Sequence, residues 1–369
     1  MYPRKTMADF LGDRVAYRNL NPVASDLPQL ADIWQEVGLD SLRVPRKSEP
    51  VYAAVAMHYL QTAQKNRGCP PLERLLFIGD TPMNDGTVAR NMGDYLPMLG
   101  FIGADRLADA PQTKIEDRLM LANRWQALAN FLDWAKKEGF AFDERTALVL
   151  DLDKTTLGAR GRNDKVIDRA RVSAVRLTVE ELLGGGFDEE SFLNVYDTLN
   201  QLEYHPFTGD NQDYLAYISL MVVGNIYPAE RLWNDLGDGS LSGFNQFVTL
   251  CDARQGQMSK GLLTAHKEVT SNLAKKDPTP FKSFRYREYN CTVDLMNVLP
   301  DDATEADLLA GEIILTGEVA DVTEQLAAQG VLTFGFSDKP DEASLPSPEA
   351  AEKGALPLHR VEMKVLGGL

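Results

Sequence analysis

The chain has 369 residues, 44% of them apolar and 25% charged, a composition typical of a globular protein with two or three domains. Its formal net charge of −16 disfavours nucleic-acid binding, because no long basic run concentrates the positive side chains. The three cysteines and four histidines lack CxxC and HxxxH spacing, which excludes a disulfide framework and a zinc motif. Without a membrane-length apolar stretch or a signal-peptide pattern, we expect a reducing cytoplasm and no membrane partner.

The first clear element in chain order is a predicted helix that runs through Tyr52 to about Gln64. Ser48 could cap this helix, and Pro50 is tolerated in its first turn. A short apolar run, residues 75–78, follows and ends at Gly79 and Asp80. Such a run, bounded by turn residues, is typical of a buried parallel strand.

The central part of the chain begins with a predicted long amphipathic helix, Ile115 to Glu138. A second buried strand, residues 147–150, ends at Asp151. The stretch from Gly158 to Thr316 is mainly helical in pattern and large enough to be an inserted domain. We therefore predict a domain division into 1–157, 158–316 and 317–369.

The last part of the chain contains a predicted helix, Glu318 to Gln329, and a third strand, Val331 to Phe336, which ends at Ser337. The segment Asp338 to Gly354, rich in Pro, Ser and Glu, indicates an exposed connector. Alternating strands and helices favour the α/β class, with a doubly wound, Rossmann-like parallel sheet. Ligands of such sheets bind beyond the carboxyl ends of the strands, so the polar residues there should share one site.

Aspartates at these strand ends are the first candidates for chemistry. Asp151 and Asp153 lie two residues apart and could supply a nucleophile and a proton donor for phosphoryl transfer. Asp80 and Asp85, in the segment GDTPMND, could converge on a hard cation, which prefers carboxylate oxygens. Each motif alone also fits an ordinary Asp-rich turn.

Two further groups complete the candidate constellation. Lys47, at the start of the first helix, could neutralise an aspartate and hold a phosphate, with Arg46 as the alternative if the register shifts by one. Ser337, with its hydroxyl and nearby N–H groups, could bind a phosphoryl oxygen. Thr316, which ends another apolar run, is the alternative to Ser337.

Together these fragments resemble the four motifs of the haloacid dehalogenase-like (HAD) superfamily, although in a rotated order. The lysine resembles motif III, the GD-x4-D segment motif IV, the aspartate pair motif I and the serine motif II. The observed order, III, IV, I, insert, II, preserves the cyclic sequence, as a circular permutation would. The resemblance implies a HAD-like core and a mainly helical cap domain between motifs I and II.

The resemblance also implies a role for each residue. Asp151 would form an aspartyl-phosphate, and Asp153 would protonate the leaving group and then activate water. Lys47 would balance charge, and Thr155 and Ser337 would bind phosphoryl oxygens. Mg²⁺ would be held by Asp151, Asp80 and the backbone carbonyl of Asp153, with Asp85 helping directly or through water.

The expected function is therefore that of a magnesium-dependent phosphatase acting on a small phosphorylated metabolite. Asp153 favours phosphate esters over haloacids, because dehalogenating members of the superfamily lack this second aspartate. Arg160 and Arg162, just after motif I, could bind the non-phosphate end of the substrate or be solvated hinge charges. A phosphomutase or phosphotransferase on the same site and a non-catalytic binding protein are the alternatives, and the oligomeric state stays open.

Overall fold

The structure is a computed structural model that describes residues 2–369. Its strands, in chain order, are β1 Arg4–Lys5, β2 Val15–Ala16, β3 Arg74–Gly79, β4 Met98–Gly103, β5 Thr113–Glu116, β6 Leu119–Ala122, β7 Thr146–Asp151, β8 Leu315–Thr316, β9 Leu332–Phe336 and β10 Met363–Leu366. Its helices are α1 Ala8–Leu11, α2 Leu30–Ile33, α3 Pro50–Asn66, α4 Asp85–Met92, α5 Leu128–Lys137, α6 Asp164–Leu183, α7 Glu189–Leu199, α8 His205–Thr208, α9 Gln212–Val223, α10 Ala229–Gly237, α11 Phe244–Asp252, α12 Lys260–Ala274, α13 Lys282–Val293, α14 Glu305–Gly311, α15 Gly317–Ala327 and α16 Pro348–Glu352.

A seven-stranded sheet organises the fold, with strand order β2-β9-β7-β3-β4-β6-β5. All of its neighbouring strands are parallel except β5 and β6, which form an antiparallel edge hairpin. A separate three-stranded sheet has the order β1-β10-β8. The predicted α/β class with a largely parallel sheet is therefore confirmed.

Helices pack on both faces of the large sheet, because alternate residues of each strand point to opposite sides. On one face, Phe77 and Val149 belong to a core that includes residues of α3 and α4. On the other face, the ring of Phe101 lies 6.0 Å from Trp125 and 5.9 Å from Phe131, on the segment leading into α5 and on α5 itself. Strands covered on both faces explain the nearly continuous apolar runs in the sequence.

Strand register brings the three predicted polar strand ends to one edge of the sheet. Ile78 of β3 pairs with Leu150 of β7, and Asp151 pairs with Phe336 of β9. Because these strands are parallel neighbours, their carboxyl ends meet, and the polar residues that follow them lie side by side. The prediction of a shared strand-end edge is confirmed.

The prediction of one long helix from Ile115 to Glu138 is wrong. This segment instead completes β5, forms β6, and becomes helical only at Trp125–Ala127 and Leu128–Lys137. Asp117 adopts a left-handed conformation, with φ of 59°, at the turn between the two strands. In the folded chain β6 pairs with β4, and this pairing satisfies the backbone hydrogen-bonding groups of β4 that would otherwise be open. The helical periodicity of the sequence gives no information about such long-range pairing.

Two other helices agree with their predictions apart from their ends. Helix α3 begins at Pro50 after Glu49, not Ser48, in the N-cap position, and α15 ends at Ala327. The predicted exposed connector is wrong over its first part, because Lys339, Ala343 and Ser344 are buried there. The carbonyl of Lys339 accepts a hydrogen bond from the N–H of Arg18, which attaches this polar segment to the N-terminal strand region.

The chain divides into two compact units. Unit 1 comprises residues 1–169 and 292–369 and contains both sheets, whereas unit 2, Ala170–Cys291, is helical with its own apolar core. Residues 158–169 and 292–316, assigned to the insert on sequence grounds, belong to unit 1. The cap function that the resemblance implies for unit 2 stays a prediction. Over residues 2–369, no helix combines the length and apolar character needed to cross a membrane.

Candidate functional site

Three buried carboxylates meet at the carboxyl edge of the large sheet. Asp80 follows β3, Asp85 is the first residue of α4, and Asp151 is the last residue of β7. One oxygen from each lies within 4.8 Å of the others, and all three side chains are buried. This geometry could hold one cation, since oxygen ligands surround such an ion closely. The sequence-predicted pairing of the GD-x4-D segment with Asp151 is therefore present.

Lys47 forms ion pairs with two of these carboxylates. Its Nζ is 2.6 Å from Oδ1 of Asp151 and 2.6 Å from Oδ1 of Asp85. The side chain is only 4% exposed, whereas the neighbouring Arg46 is exposed. The geometry therefore favours Lys47 over Arg46 as the cation of the site. Burial opposes a charged lysine, but the two carboxylates raise the pKa of Lys47 well above its usual value.

Asp85 both closes the loop after β3 and faces Lys47. Its Oδ2 accepts hydrogen bonds from the N–H groups of Asp80 and Thr81, at 3.0 and 2.9 Å, and from the Thr81 hydroxyl at 2.9 Å. A Cβ atom at Gly79 would lie 2.5 Å from the Cβ of Asp85, so this close approach requires glycine. The buried Oδ1 is in ion-pair contact with Lys47 but makes no hydrogen bond among the described residues.

Burial, mutual repulsion and Lys47 shift the pKa values of the three carboxylates. Burial, followed by repulsion from Asp85, raises the pKa of Asp151 to about 8, although Lys47 opposes this shift. Burial and the charge of Asp151 raise the pKa of Asp80 to about 9. Burial would also raise the pKa of Asp85, but Lys47 outweighs it and holds that pKa below the usual range. A hard divalent cation prefers carboxylate oxygens and could take the place of the protons that these raised pKa values favour.

The loop after β7 holds Asp151 in place. The Thr155 hydroxyl donates a 2.8 Å hydrogen bond to Oδ2 of Asp151, and the Thr156 hydroxyl donates one of the same length to its carbonyl. Lys154 has a left-handed φ of 63°, which turns the chain sharply between these groups. The hydroxyl of Thr316 donates to the carbonyl of Thr155 at 2.6 Å, so Thr316 supports the loop.

Asp153 is half-buried in the same loop and is not one of the three clustered carboxylates. Its Oδ1 atom is buried and has no hydrogen-bond partner among the described residues. An unsatisfied buried carboxylate oxygen is costly and therefore points to a missing partner such as a substrate or an ion. The catalytic role of Asp153 and the metal contact through its carbonyl stay predictions.

Ser337 follows β9, directly after the residue that pairs with Asp151. It is buried, and its Oγ accepts a 3.1 Å hydrogen bond from the N–H of Lys339, which shapes the turn beyond the strand. Thr316 lies instead in β8 of the smaller sheet. The strand order therefore favours Ser337 over Thr316 as the hydroxyl beside Asp151.

Asp338 also lies at this edge of the sheet, although the sequence analysis predicted no role for it. Burial raises its pKa, Lys47 opposes the shift, and the charges of Asp85 and Asp153 add to it. Asp338 is nevertheless exposed to solvent at this edge of the sheet. Its position immediately after Ser337, at the end of a strand, could have identified it as a residue of the site.

The two arginines predicted to contact a substrate have different surroundings. The guanidinium of Arg160 contacts Oδ2 of Asp80 and is 37% exposed, so it borders the cluster and reaches solvent. Arg162 donates to Asp105 at 2.7 Å and to both oxygens of Glu318 at 2.9 Å. Because these acidic partners occupy the guanidinium of Arg162, the geometry gives it a structural role and leaves Arg160 as the candidate substrate contact.

Comparisons with family models, curated proteins and solved structures find no match to this chain.

Proposed function

We propose that this chain is a Mg²⁺-dependent phosphohydrolase of small phosphorylated metabolites, with a HAD-like core in circularly permuted order. The observation that carries the proposal is the ion-paired cluster in which Lys47 contacts Asp151 and Asp85, with Asp80 beside them. Four motifs, distant in sequence but successive in cyclic order, contribute residues to one edge of the sheet. A structural salt bridge alone would not require three carboxylates around one lysine.

The carboxylates of Asp80, Asp85 and Asp151 would hold Mg²⁺, together with the backbone carbonyl of Asp153. When bound, the ion would screen the charge of the phosphate and of the carboxylates around it. The purely oxygen donor set and the buried Oδ1 of Asp153, which has no hydrogen-bond partner among the described residues, support this assignment.

Asp151 is the proposed nucleophile. One of its carboxylate oxygens forms a bond to phosphorus while the bond from phosphorus to the leaving-group oxygen breaks, giving an aspartyl-phosphate. Asp153 gives its proton to the departing oxygen. The ionised Asp153 then accepts a proton from water, whose oxygen displaces Asp151 and releases inorganic phosphate.

The remaining groups of the edge would stabilise and orient the phosphoryl group. Lys47 would offset the negative charge that gathers on its oxygens, while Ser337 would donate a hydrogen bond to them. Thr155, whose hydroxyl donates to Asp151 in this structure, would do the same once that hydroxyl turns to the phosphate. Arg160 would contact the substrate at the solvent side of Asp80. All of these groups are attached to strand ends or to loops fixed by hydrogen bonds, which favours a preorganised site.

Release of inorganic phosphate from p-nitrophenyl phosphate and from a panel of phosphorylated metabolites tests the proposal. We expect Mg²⁺-dependent turnover that is lost with a chelator and reduced at least about a thousandfold in Asp151→Asn. Asp133→Asn, an exposed aspartate of α5, is the matched control and should retain wild-type turnover. Equal turnover by Asp151→Asn and wild type would contradict the mechanism, and phosphate transfer without release would indicate a transferase.

A further inference from the structure

A cavity of about 240 Å³ opens next to the carboxylate cluster within unit 1. Asp80 belongs to both the cluster and the cavity lining. Apart from Pro82 in the loop after β3, the rest of the lining comes from the end of β4, the loop that follows it, and the β5–β6 hairpin with the residue after it. A molecule bound in the cavity would therefore have one end at the proposed metal and phosphate site.

Arg106 is the cationic group of this cavity that is available to a ligand. Its side chain is exposed, and within residues 2–369 it has no ion pair or side-chain hydrogen bond. Lys114 also lines the cavity, but its ammonium is paired with Glu116. The other charged lining groups are the carboxylates Asp80 and Asp109, so the attraction for an anion is centred on Arg106.

The wall that carries Arg106 is fixed by hydrogen bonds to its backbone. The Arg124 guanidinium donates to the carbonyls of Arg106 and Asp109, at 2.7 and 2.6 Å. The Asn123 amide accepts from the N–H of Gln112 at 2.7 Å and donates to the carbonyl of Ala110 at 2.8 Å. A loop held at several carbonyls is a preorganised wall and not a freely moving strap.

The lining also limits the size and character of an occupant. Ile102 and Leu121 provide apolar surface, while Gln112 and Asn123 provide polar atoms. The volume is below the roughly 300–1,000 Å³ of pockets for drug-sized ligands, which favours an occupant of few atoms. A guanidinium matches the two oxygens of a carboxylate better than it matches a hydroxyl, because it can donate two parallel hydrogen bonds.

We infer that this cavity binds the leaving-group part of a small phosphate monoester and that Arg106 binds a carboxylate on that part. The inference rests on the proposed phosphohydrolase function, which it extends by naming a substrate class. Specificity would then arise from the β5–β6 edge of the sheet unit itself. The matching substrates are phosphorylated hydroxy acids, in which the phosphate and the carboxylate lie a few bonds apart.

Two matched probes test this inference: 2-phosphoglycolate carries a carboxylate, and ethyl phosphate lacks one. We expect wild type to prefer 2-phosphoglycolate by about tenfold or more in kcat/KM, since a charged hydrogen-bonded pair contributes on this scale. Arg106→Met should reduce that preference to about twofold, mainly through KM, and Arg106→Lys should restore part of it. Arg118→Met, an exposed arginine of the same hairpin, should keep the wild-type preference.

Failure of the inference can be distinguished from failure of the proposed function. No preference in wild type, or an unchanged preference in Arg106→Met, would overturn the assignment of Arg106 even if turnover is robust. If wild type hydrolyses neither probe, binding of 2-phosphoglycolate is measured by calorimetry with Mg²⁺ in Asp151→Asn and in Asp151→Asn/Arg106→Met. A loss of affinity of about tenfold in the double variant supports the cavity. Equal affinity, or no binding to either, overturns it.

Discussion

The Nζ atom of Lys47 lies 2.6 Å from Oδ1 of Asp151, although 104 residues separate the two in the chain. The lysine comes from the loop before α3, and the aspartate ends β7, an interior strand of the large sheet. Burying a charged lysine costs desolvation free energy, and the two ion pairs with aspartates offset that cost. This relationship connects the first and third motifs in the chain into one site.

Replacing Lys47 with methionine should destabilise the metal-free protein by about 3 kcal/mol, because it leaves buried carboxylates without their cation. Proton uptake by Asp80 and Asp151 limits the loss, since their pKa values are already raised. Urea unfolding at neutral pH measures the change, and added Mg²⁺ should recover part of it. Arg46→Met removes an exposed neighbouring cation and should change stability by less than about 0.5 kcal/mol. Equal stability of the two variants would contradict the assignment of Lys47.

Glycine at position 79 allows the close approach of Asp85, and Gly79→Ala should therefore displace Asp85. The new Cβ would meet the Asp85 Cβ at 2.5 Å, a separation that the backbone must relieve by moving α4 or the loop. We expect Mg²⁺ to bind at least about tenfold more weakly, as measured by calorimetry, because one of three ligands moves. Gly139→Ala, which meets no neighbouring atom but has a φ of 83°, controls for general loss of stability. Wild-type Mg²⁺ affinity in Gly79→Ala would refute the steric argument.

Much of the site was predictable because strand ends in a parallel sheet are marked in the sequence. Apolar runs that end in Asp80, Asp151 and Ser337 gave both the strands and their common edge. The β5–β6 hairpin was missed because residues 115–138 also satisfy a helical period, and only pairing with β4 decides between the two. The cavity beside Arg106 could not be predicted either, because the loop that carries Arg106 is held by the side chain of Arg124, which lies beyond the unpredicted hairpin.

Side-chain partners were also beyond the reach of the sequence. Arg160 and Arg162 are two residues apart and looked equivalent, yet one contacts Asp80 and the other is held by Asp105 and Glu318. The difference comes from α15, whose buried Glu318 is distant in the chain. A motif can identify a loop, but tertiary packing decides which of its charges remain available.

Removal of Arg160 should strengthen Mg²⁺ binding, because its guanidinium occupies Oδ2 of Asp80 and competes with a cation for that carboxylate. In Arg160→Met we expect lower thermal stability without metal and a larger increase in Tm on adding Mg²⁺. Thermal unfolding across a Mg²⁺ titration measures both effects, with Arg118→Met as the control. Weaker Mg²⁺ binding in Arg160→Met would indicate that the arginine orients Asp80 for the ion instead.

His359 should make stability depend on pH in a region away from the proposed site. Its Nδ1 lies 3.2 Å from the Tyr17 hydroxyl and its Nε2 3.0 Å from Oδ1 of Asp13, as expected for a neutral ring between a donor and an acceptor. Burial lowers its pKa below the usual value of 6.5, although Asp13 opposes the shift. As the pH falls below about 6.5, His359 binds a proton in the unfolded chain but stays neutral in the folded chain. The free energy of unfolding therefore decreases as the pH falls through this range.

We therefore expect the free energy of unfolding to be less pH-dependent in His359→Gln than in wild type between pH 7 and about 5.5. The difference in slope should not exceed about 1.4 kcal/mol per pH unit, the value for one proton. Urea unfolding at several pH values gives both slopes. Identical slopes would show that His359 is not held neutral by its surroundings.

Trapping of the covalent intermediate tests whether Asp151 is the nucleophile. The protein would be incubated with Mg²⁺ and a substrate that it turns over, then treated with borohydride, which reduces an aspartyl-phosphate to homoserine. Peptide mass spectrometry then locates the modified residue. We expect homoserine at position 151, dependent on Mg²⁺ and substrate and absent from Asp151→Asn. Turnover without modification at Asp151, or modification at Asp153 in its place, would contradict the assignment of Asp151 as the nucleophile.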